Sequence, residues 1–389
     1  MKYALLVLLI GALVPGLVAA RTWHVAQDGS GDFTVIQDAV DAAEDGDVIE
    51  IGPGRYTDYQ TIGDTILFDV HVLIPDGMSL TFNGAGSNAT IIGSEDPEIY
   101  ENHAYGIRGH YDVGVIARNL GIENCSQYGI SVISGSIDAA GCRLYYGGQS
   151  IYETTGIAGG FSEGAVIRDC EFVGTRRGVK TIDSSGGVRI EQCYFRCSLG
   201  VYAWTDDSSA VQIYDCDFEC YLGGIGFLDG SGGTVESCRF WNCVLELTNT
   251  GEVIVTNCSV MRDDGGRALH LSNNEPVTIT DCVFESNGPV FWVGSYGLGI
   301  IRSNHFLQTG DDYWVYCPPH ISFQQDIDLS GNWWGTTDTD ELDEGIYDCN
   351  DNPNSYHCVI YEPLADGPVA TELRSWSSIK GLFDSGGEE

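Results

Sequence analysis

The octet VRIEQCYF, Val188–Phe195, recurs along the chain with little change. Its equivalents read AVIRDCEF from Ala165, VQIYDCDF from Val211, GTVESCRF from Gly233, VIVTNCSV from Val253 and VTITDCVF from Val277, followed by GIIRSNHF from Gly299 and IDLSGNWW from Ile327. The cysteine column so defined is Cys142, Cys170, Cys193, Cys216, Cys238, Cys258 and Cys282. Asn119 stands one further step before the first, and Asn304 and Asn332 continue the series beyond the last. A self-similar period in the twenties means stacked supersecondary units, each burying its apolar face against the next. Within a unit, Val188 and Ile190 alternate, and Cys193 and Phe195 then alternate in a new phase, so the chain turns between them. A third strand follows, RGVKTID from Arg177, with the equivalents LGVYAWT, GGIGFLD and GPVFWVG. Strands this short, separated by Gly, Ser, Asp and Asn, predict an all-β parallel β-helix solenoid of about 12 coils. Leucine-rich repeats share the period but need regular leucines, which are absent.

Outside the repeat, the first twenty residues read as an export signal: Lys2, an apolar run Tyr3–Val14, and a small-residue cleavage site at Val18-Ala19-Ala20. The expected location is secreted or periplasmic. The remaining divisions are an entry segment with a cap helix over 21–47, the solenoid over 48–334, an acidic cap over 335–366 and a tail or small docking helix over 367–389, with Trp376, Ile379 and Phe383 on one face. Fifty-six acids against 18 bases give a formal charge of −38, which excludes the basic footprint that nucleic-acid binding needs. Such a surface attracts cations and repels polyanions.

Fourteen cysteines in an exported chain usually imply disulfides. Here their period offers two readings, a buried thiol stack at one corner of each coil or bridges between adjacent coils. Cys197, Cys220 and Cys243 form a second short stack with the same alternatives. Cys349 and Cys358 differ, because they bracket an irregular loop that a disulfide would tie down.

The pattern of a small apolar pair, a turn, an inward Asn, here mostly replaced by Cys, and a Phe resembles the pectin-lyase-like right-handed parallel β-helix superfamily, over roughly residues 22–365. The opening VAQDGSGDFTVIQDAVDAA, Val25–Ala43, is also similar to the start of pectin methylesterases. Ile36, Ala39, Val40 and Ala43 share a helical face there, predicting a helix laid over the first coil to block an open strand edge. Beyond this opening, motifs resembling the active sites of the esterases, polygalacturonases, pectate lyases or mannuronan epimerases are absent. The resemblance therefore implies a fold and leaves chemistry to the residues.

Outward positions of the third strand, read in register, are Ser131, Lys180, Tyr202, Gly226, Glu246, His270 and Phe291. Glu246 and His270 should be neighbours able to share a proton. Lys180 with Arg176 and Arg177 forms a positive island, and Trp204 offers a ring of the kind that stacks on sugars. The preferred reading is a protein that binds polysaccharide or a surface glycan along this face. An alternative is a polysaccharide lyase or glycoside hydrolase using Lys180, Tyr202, Glu246 and His270, and a third is a structural envelope or surface protein. No cofactor is required. The weak calcium candidates are Asp348, Asn350 and Asn352, at alternate positions of DCNDNPN, and the acid pairs Asp206-Asp207, Asp263-Asp264 and Asp311-Asp312 sit in predicted loops.

Overall fold

The computed structural model describes residues 19–97, 103–148, 154–204, 210–228, 230–248, 250–272, 276–294, 299–319, 326–355 and 357–368. The export segment before Ala19, the Asp206-Asp207 pair and the tail containing Trp376, Ile379 and Phe383 lie outside the described residues.

Three strands per turn build three long sheets of 12, 11 and 13 strands, wound as a right-handed parallel β-helix of about 12 turns. All pairings in these sheets are parallel except where Gln60–Ile62 runs antiparallel to Phe68–Ile74 at one edge of the third sheet. The first octet strand, Val188–Glu191, lies in the first sheet, Tyr194–Arg196 in the second and Leu199–Trp204 in the third.

From Arg118 onward each corner between the first two sheets is turned by one residue in the left-handed region, and the last octet has one at the same position. These are Asn119, Gly141, Asp169, Gln192, Asp215, Ser237, Asn257, Asp281, Ser303 and Gly331, with φ between 51° and 73°. Asn, Asp and Gly enter this region at least cost. The residue that follows points inward. Asn119 therefore belongs to the corner and not to the ladder, where Leu120 stands beside Cys142. This corrects the register by one residue, because an Asn at a turn is explained by its own backbone.

The ladder cysteines are buried and unbridged. In each, the thiol donates to the carbonyl two residues back, as in Cys193 to Glu191 at 3.2 Å and Cys238 to Glu236 at 3.3 Å. Its sulfur also accepts from the amide of the preceding turn, Cys238 N to Cys258 Sγ at 3.4 Å and Cys258 N to Cys282 Sγ at 3.4 Å. Asn304 continues the same pattern: its Oδ1 accepts from Cys282 N at 3.0 Å and its Nδ2 donates to Arg302 O at 3.0 Å. Cysteine thus does with a weak donor and acceptor what asparagine does with strong ones. Burial pushes the thiols of Cys193, Cys216, Cys238 and Cys258 well above their ordinary range, so they remain protonated and inert. The second stack brings Cys197 Sγ within 3.6 Å of Cys220 Sγ.

Beside the thiols runs a phenylalanine stack. Phe172, Phe195, Phe218 and Phe240 lie face to face with centroids 4.7, 4.7 and 4.8 Å apart and planes within 5°. The stack explains the glycines that open the third-sheet strands. A Cβ on Gly156, Gly178, Gly200 or Gly224 would fall 2.4–2.5 Å from the ring of Phe172, Phe195, Phe218 or Phe240 respectively. Where the next turn supplies Val260 in the phenylalanine column, the glycine column holds Val244, the hydrogen-bonded neighbour of Gly224. Between Phe172 and Phe240, ring and glycine are two halves of one volume.

The ends are closed differently. The helix Ile36–Ala42 buries Ile36, Ala39 and Val40 against the first turns. At the far end Trp334 is wholly buried under Phe306, and the helix Thr339–Gly345, begun by an Asp338 side chain capping Asp340 N, buries Leu342. A disulfide joins Cys349 to Cys358, with Cα atoms 5.0 Å apart, and a two-stranded sheet of Ile327–Asp328 and Val359–Ile360 completes this cap.

Gly178→Ala should destabilise the protein by about 1–3 kcal/mol through overpacking. Adding Phe195→Val in that background should recover part of the loss, although Phe195→Val alone is destabilising. Denaturant midpoints of the four proteins in a double-mutant cycle check this, and additive losses would refute the shared-volume account.

Candidate functional site

Strand alternation turns one residue per turn of the third sheet outward, and parallel pairing lines these residues up. The column runs Leu73, Arg108, Ser131, Ala158, Lys180, Tyr202, Gly226, Glu246, His270, Trp292, Tyr316 and Tyr347. Two corrections to the sequence register follow. Ala158 intervenes between Ser131 and Lys180. At the other end Trp292, not Phe291, is the outward neighbour of His270, while Phe291 is fully buried. Consecutive aromatics in VFWV satisfy either phase, and only the pairing with Leu269–Leu271 decides between them.

Glu246 and His270 meet: His270 Nδ1 lies 3.0 Å from Glu246 Oε1. The hydrogen bond from His270 holds the Glu246 carboxyl below its ordinary range against the opposing effect of burial, with the His270 and Arg267 charges adding to it. A carboxyl shifted downward is ionised at neutral pH and cannot serve as the proton donor there; it can accept from the imidazole and orient it. Lys180 and Tyr202 are neighbours one strand to the next. Gly226 separates this pair from Glu246, and a Cβ at Gly226 would meet nothing within 4 Å. Lys180 stands three strand spacings from Glu246, roughly 14 Å. The four residues considered as one catalytic group thus divide into two pairs.

Arg177 is buried with its guanidinium 4.7 Å from the centre of the Tyr202 ring, whereas Arg176 is exposed. Trp204, two positions along from Tyr202, is 45% exposed, the most open aromatic of this part of the face. Two more arginines, Arg108 on this sheet and Arg267 just before the strand Leu269–Ser272, are held against rings. Arg267 lies 5.2 Å from the Trp292 ring, and Arg108 lies 4.5 Å from Phe68 and 4.3 Å from Tyr105. Sequence reasoning missed Arg108, Arg267, Trp292, Tyr316 and Tyr347. The last three form a run, Trp292–Tyr316 at 4.6 Å and Tyr316–Tyr347 at 5.1 Å between centroids.

Several arginines of the other two sheets are paired with acids: Arg118 with Asp138, Arg189 with Glu191, Arg143 with Glu171, Arg239 with Asp217 and Arg302 with Asp328; of these, Arg143 and Arg189 also lie over the rings of Tyr145 and Tyr214, at 5.1 and 4.9 Å. The third-sheet column carries a single carboxylate, Glu246, in a chain of 56 acids. Its chemistry differs from that of the other two faces.

The calcium candidates are engaged with the cap. Asp348 Oδ1 accepts from Asn350 N at 2.8 Å and Oδ2 from Val359 N at 2.7 Å, while Asn352 Nδ2 donates to the Tyr347 hydroxyl at 2.8 Å. Asp264 is paired with Arg262 at 2.7 Å, and Asp263, Asp311 and Asp312 are exposed. Among the described residues no group of three or more His, Cys, Asp or Glu side chains is placed to hold a metal ion, and no helix is long and apolar enough to cross a membrane.

Comparison with known proteins agrees with the architecture. The protein contains a right-handed parallel β-helix, and the family model for a right-handed β-helix region matches residues 165–310. That match and the parallel solenoid fit the pectin-lyase-like right-handed β-helix superfamily. A search of curated proteins gave no match.

Because the His270 hydrogen bond lowers the Glu246 pKa, folding gains from this pair above the unfolded carboxyl pKa. That gain fades as pH falls through the lowered folded value. In His270→Gln the Glu246 carboxyl should titrate closer to the ordinary carboxylate range. Carbon-detected NMR of the side-chain carboxyl measures this, and an unmoved titration would show that the pair is not coupled.

Proposed function

We propose that this protein binds a glycan along the outward face of its third sheet. The observation that carries the reading is the column itself: aromatic rings and ring-held cations with one carboxylate, on a protein whose formal charge is −38. Sugar rings present C–H faces that pack on aromatic planes, and hydroxyl edges that need donors and acceptors. Tyr202 and Trp204 supply planes on one strand, and Trp292, Tyr316 and Tyr347 supply three more on successive strands beginning four spacings along. Lys180, Glu246 and His270 supply hydrogen-bonding groups between them. An extended saccharide lying along the helix axis would meet these groups in succession. Neighbouring arginines would hold the rings in place through cation–π contact, which lowers the entropy lost on binding. The fit with the pectin-lyase-like superfamily is consistent with an extracellular polysaccharide partner, and the apolar segment at the N-terminus with export.

Glycan cleavage is a second reading, favoured by one observation, the 3.0 Å contact between His270 and Glu246. In that reading His270 is the base and Glu246 its orienting acceptor, while Lys180 and Tyr202 bind sugar one or more units away. The geometry does not offer the two opposed carboxylates of glycoside hydrolysis, so cleavage by β-elimination fits the residues better than hydrolysis.

Incubation of the protein with a panel of uronic-acid and neutral glycans, with and without calcium, tests both. Retention without product supports binding, new unsaturated ends support the second reading, and no retention of any glycan overturns the proposal. Trp204→Ala and Trp292→Ala should each weaken retention by about 1 kcal/mol. Ile254→Ala, on the first sheet and 40% exposed, should leave it unchanged.

A further inference from the structure

Where the chain passes from the second sheet to the third, Cys197 and Cys220 occupy the same corner of successive turns. Phe195 pairs in register with Phe218, so the cysteines two residues on stand one above the other. Their sulfurs are 3.6 Å apart. A cavity of about 390 Å³ opens on this corner, and both cysteines line it beside Ser198, Tyr221 and Trp241. Cys197 is 5% exposed and Cys220 1%. The ladder cysteines from Cys142 to Cys282 do not line this cavity. Nor does Cys243: Glu219 pairs with Trp241, so the residue opposite Cys220 is the left-handed Asn242, and Cys243 is set back by one.

A disulfide needs Cα atoms about 4.4–6.8 Å apart, and adjacent strands of a sheet are about 4.8 Å apart. In-register cysteines therefore meet the backbone requirement, and the sulfurs must close by only about 1.5 Å to reach bonding distance. Both residues lie between strands. Tyr194–Arg196 ends before Cys197 and Leu199–Trp204 begins after it, while Asp217–Glu219 and Gly223–Leu228 flank Cys220 in the same way. The closing movement thus falls in a corner and not within a strand. The chain already holds one oxidised pair, Cys349 with Cys358. We propose that Cys197 and Cys220 are a dithiol modification site, which a hydroperoxide converts to a disulfide joining two turns.

The two sulfurs have different parts in this reaction. Burial, with the hydrogen bond to Cys197 adding to it, pushes the Cys220 thiol well above its ordinary range, so Cys220 keeps its proton. Cys197, the more exposed, meets the oxidant in the cavity. Its thiolate attacks one oxygen of the hydroperoxide and the O–O bond breaks. The other oxygen leaves, protonated, as the alcohol (water, for hydrogen peroxide), and Cys197 becomes a sulfenic acid. The Cys220 sulfur then attacks Cys197; the S–S bond forms, and the hydroxyl departs with the Cys220 proton as water. Two thiols and one hydroperoxide give one disulfide, one alcohol and one water, the thiols supplying the two electrons that reduce the O–O bond.

The test exposes the folded protein, mildly reduced and desalted, to one equivalent of hydrogen peroxide. It is then denatured in an alkylating agent, cleaved at acidic residues and mapped by mass spectrometry. We expect one bridge beside that of the cap, Cys197–Cys220, with every ladder cysteine alkylated. The oxidised protein should melt at a higher temperature than the reduced one, because the bridge spans 23 residues of the unfolded chain. Cys220→Ser should stop at a sulfenic acid on Cys197, trapped by dimedone. Cys197→Ser should leave Cys220 alkylatable, with thiol loss at least tenfold slower than in the wild type. Cys243→Ser should form the bridge as the wild type does. The wild-type map needs no substitution, so it stands even where a serine variant does not fold. A bridge at another pair, oxidation spread over the ladder, or Cys197 still alkylatable after the peroxide is spent overturns the site. No glycan takes part, so none of these outcomes bears on the reading of the third-sheet face.

Discussion

Contact between like side chains in successive turns is the constraint on which this molecule rests. A solenoid has no centre into which distant segments converge, so each turn must satisfy the turn above and the turn below with the same surface. The phenylalanine column shows how narrow the tolerance is. From Phe172 to Phe240 the nearly parallel rings fill the interior so completely that the strand passing beside each has glycine there, whereas beside Phe284 and Phe306 the same position is Ala268 and Val290. When the ring becomes Val260, the neighbouring position becomes Val244. The thiol column answers the polar half of the same problem. At each corner a small side chain must fill space while offering one donor and one acceptor to the backbone, and both Cys282 and Asn304 do so.

This repetition governs what is presented to solvent. Interior ladders lock the register, and a locked register turns sequence positions a full coil apart into neighbours. The third sheet consequently gathers Lys180, Tyr202, Glu246, His270 and Trp292 from five separate stretches of chain into one line. The other faces use the same mechanism to pair acids with bases, as in Arg239 with Asp217. Ion pairs along two faces and a column with a single carboxylate on the third are thus consequences of register, and they make the faces of the solenoid chemically unlike.

Much of this is legible in the sequence, for a physical reason: period-two alternation and a nearly constant turn length survive in the octets. The cap helix over Ile36–Ala42, the contact of Glu246 with His270 and the ladder from Cys142 to Cys282 all follow from counting. Counting fails where the octet decays or where two residues satisfy one pattern. Asn119 satisfies a left-handed corner as well as it would a ladder, and Phe291 and Trp292 are interchangeable to a hydrophobicity pattern. Arg108 lies before the first ladder cysteine, on strands whose spacing is irregular, so its place in the column is not countable.

Between Cys170 and Cys238 the turns are so alike, in length, corner, ring and glycine, that any one of them can follow any other. Such a stretch is a ruler whose graduations are interchangeable. A tandem duplication of one graduation would lengthen the outward line by a single strand spacing without disturbing either cap. The reach of the molecule along a linear partner can therefore change in evolution by whole steps, independently of the chemistry displayed at each mark.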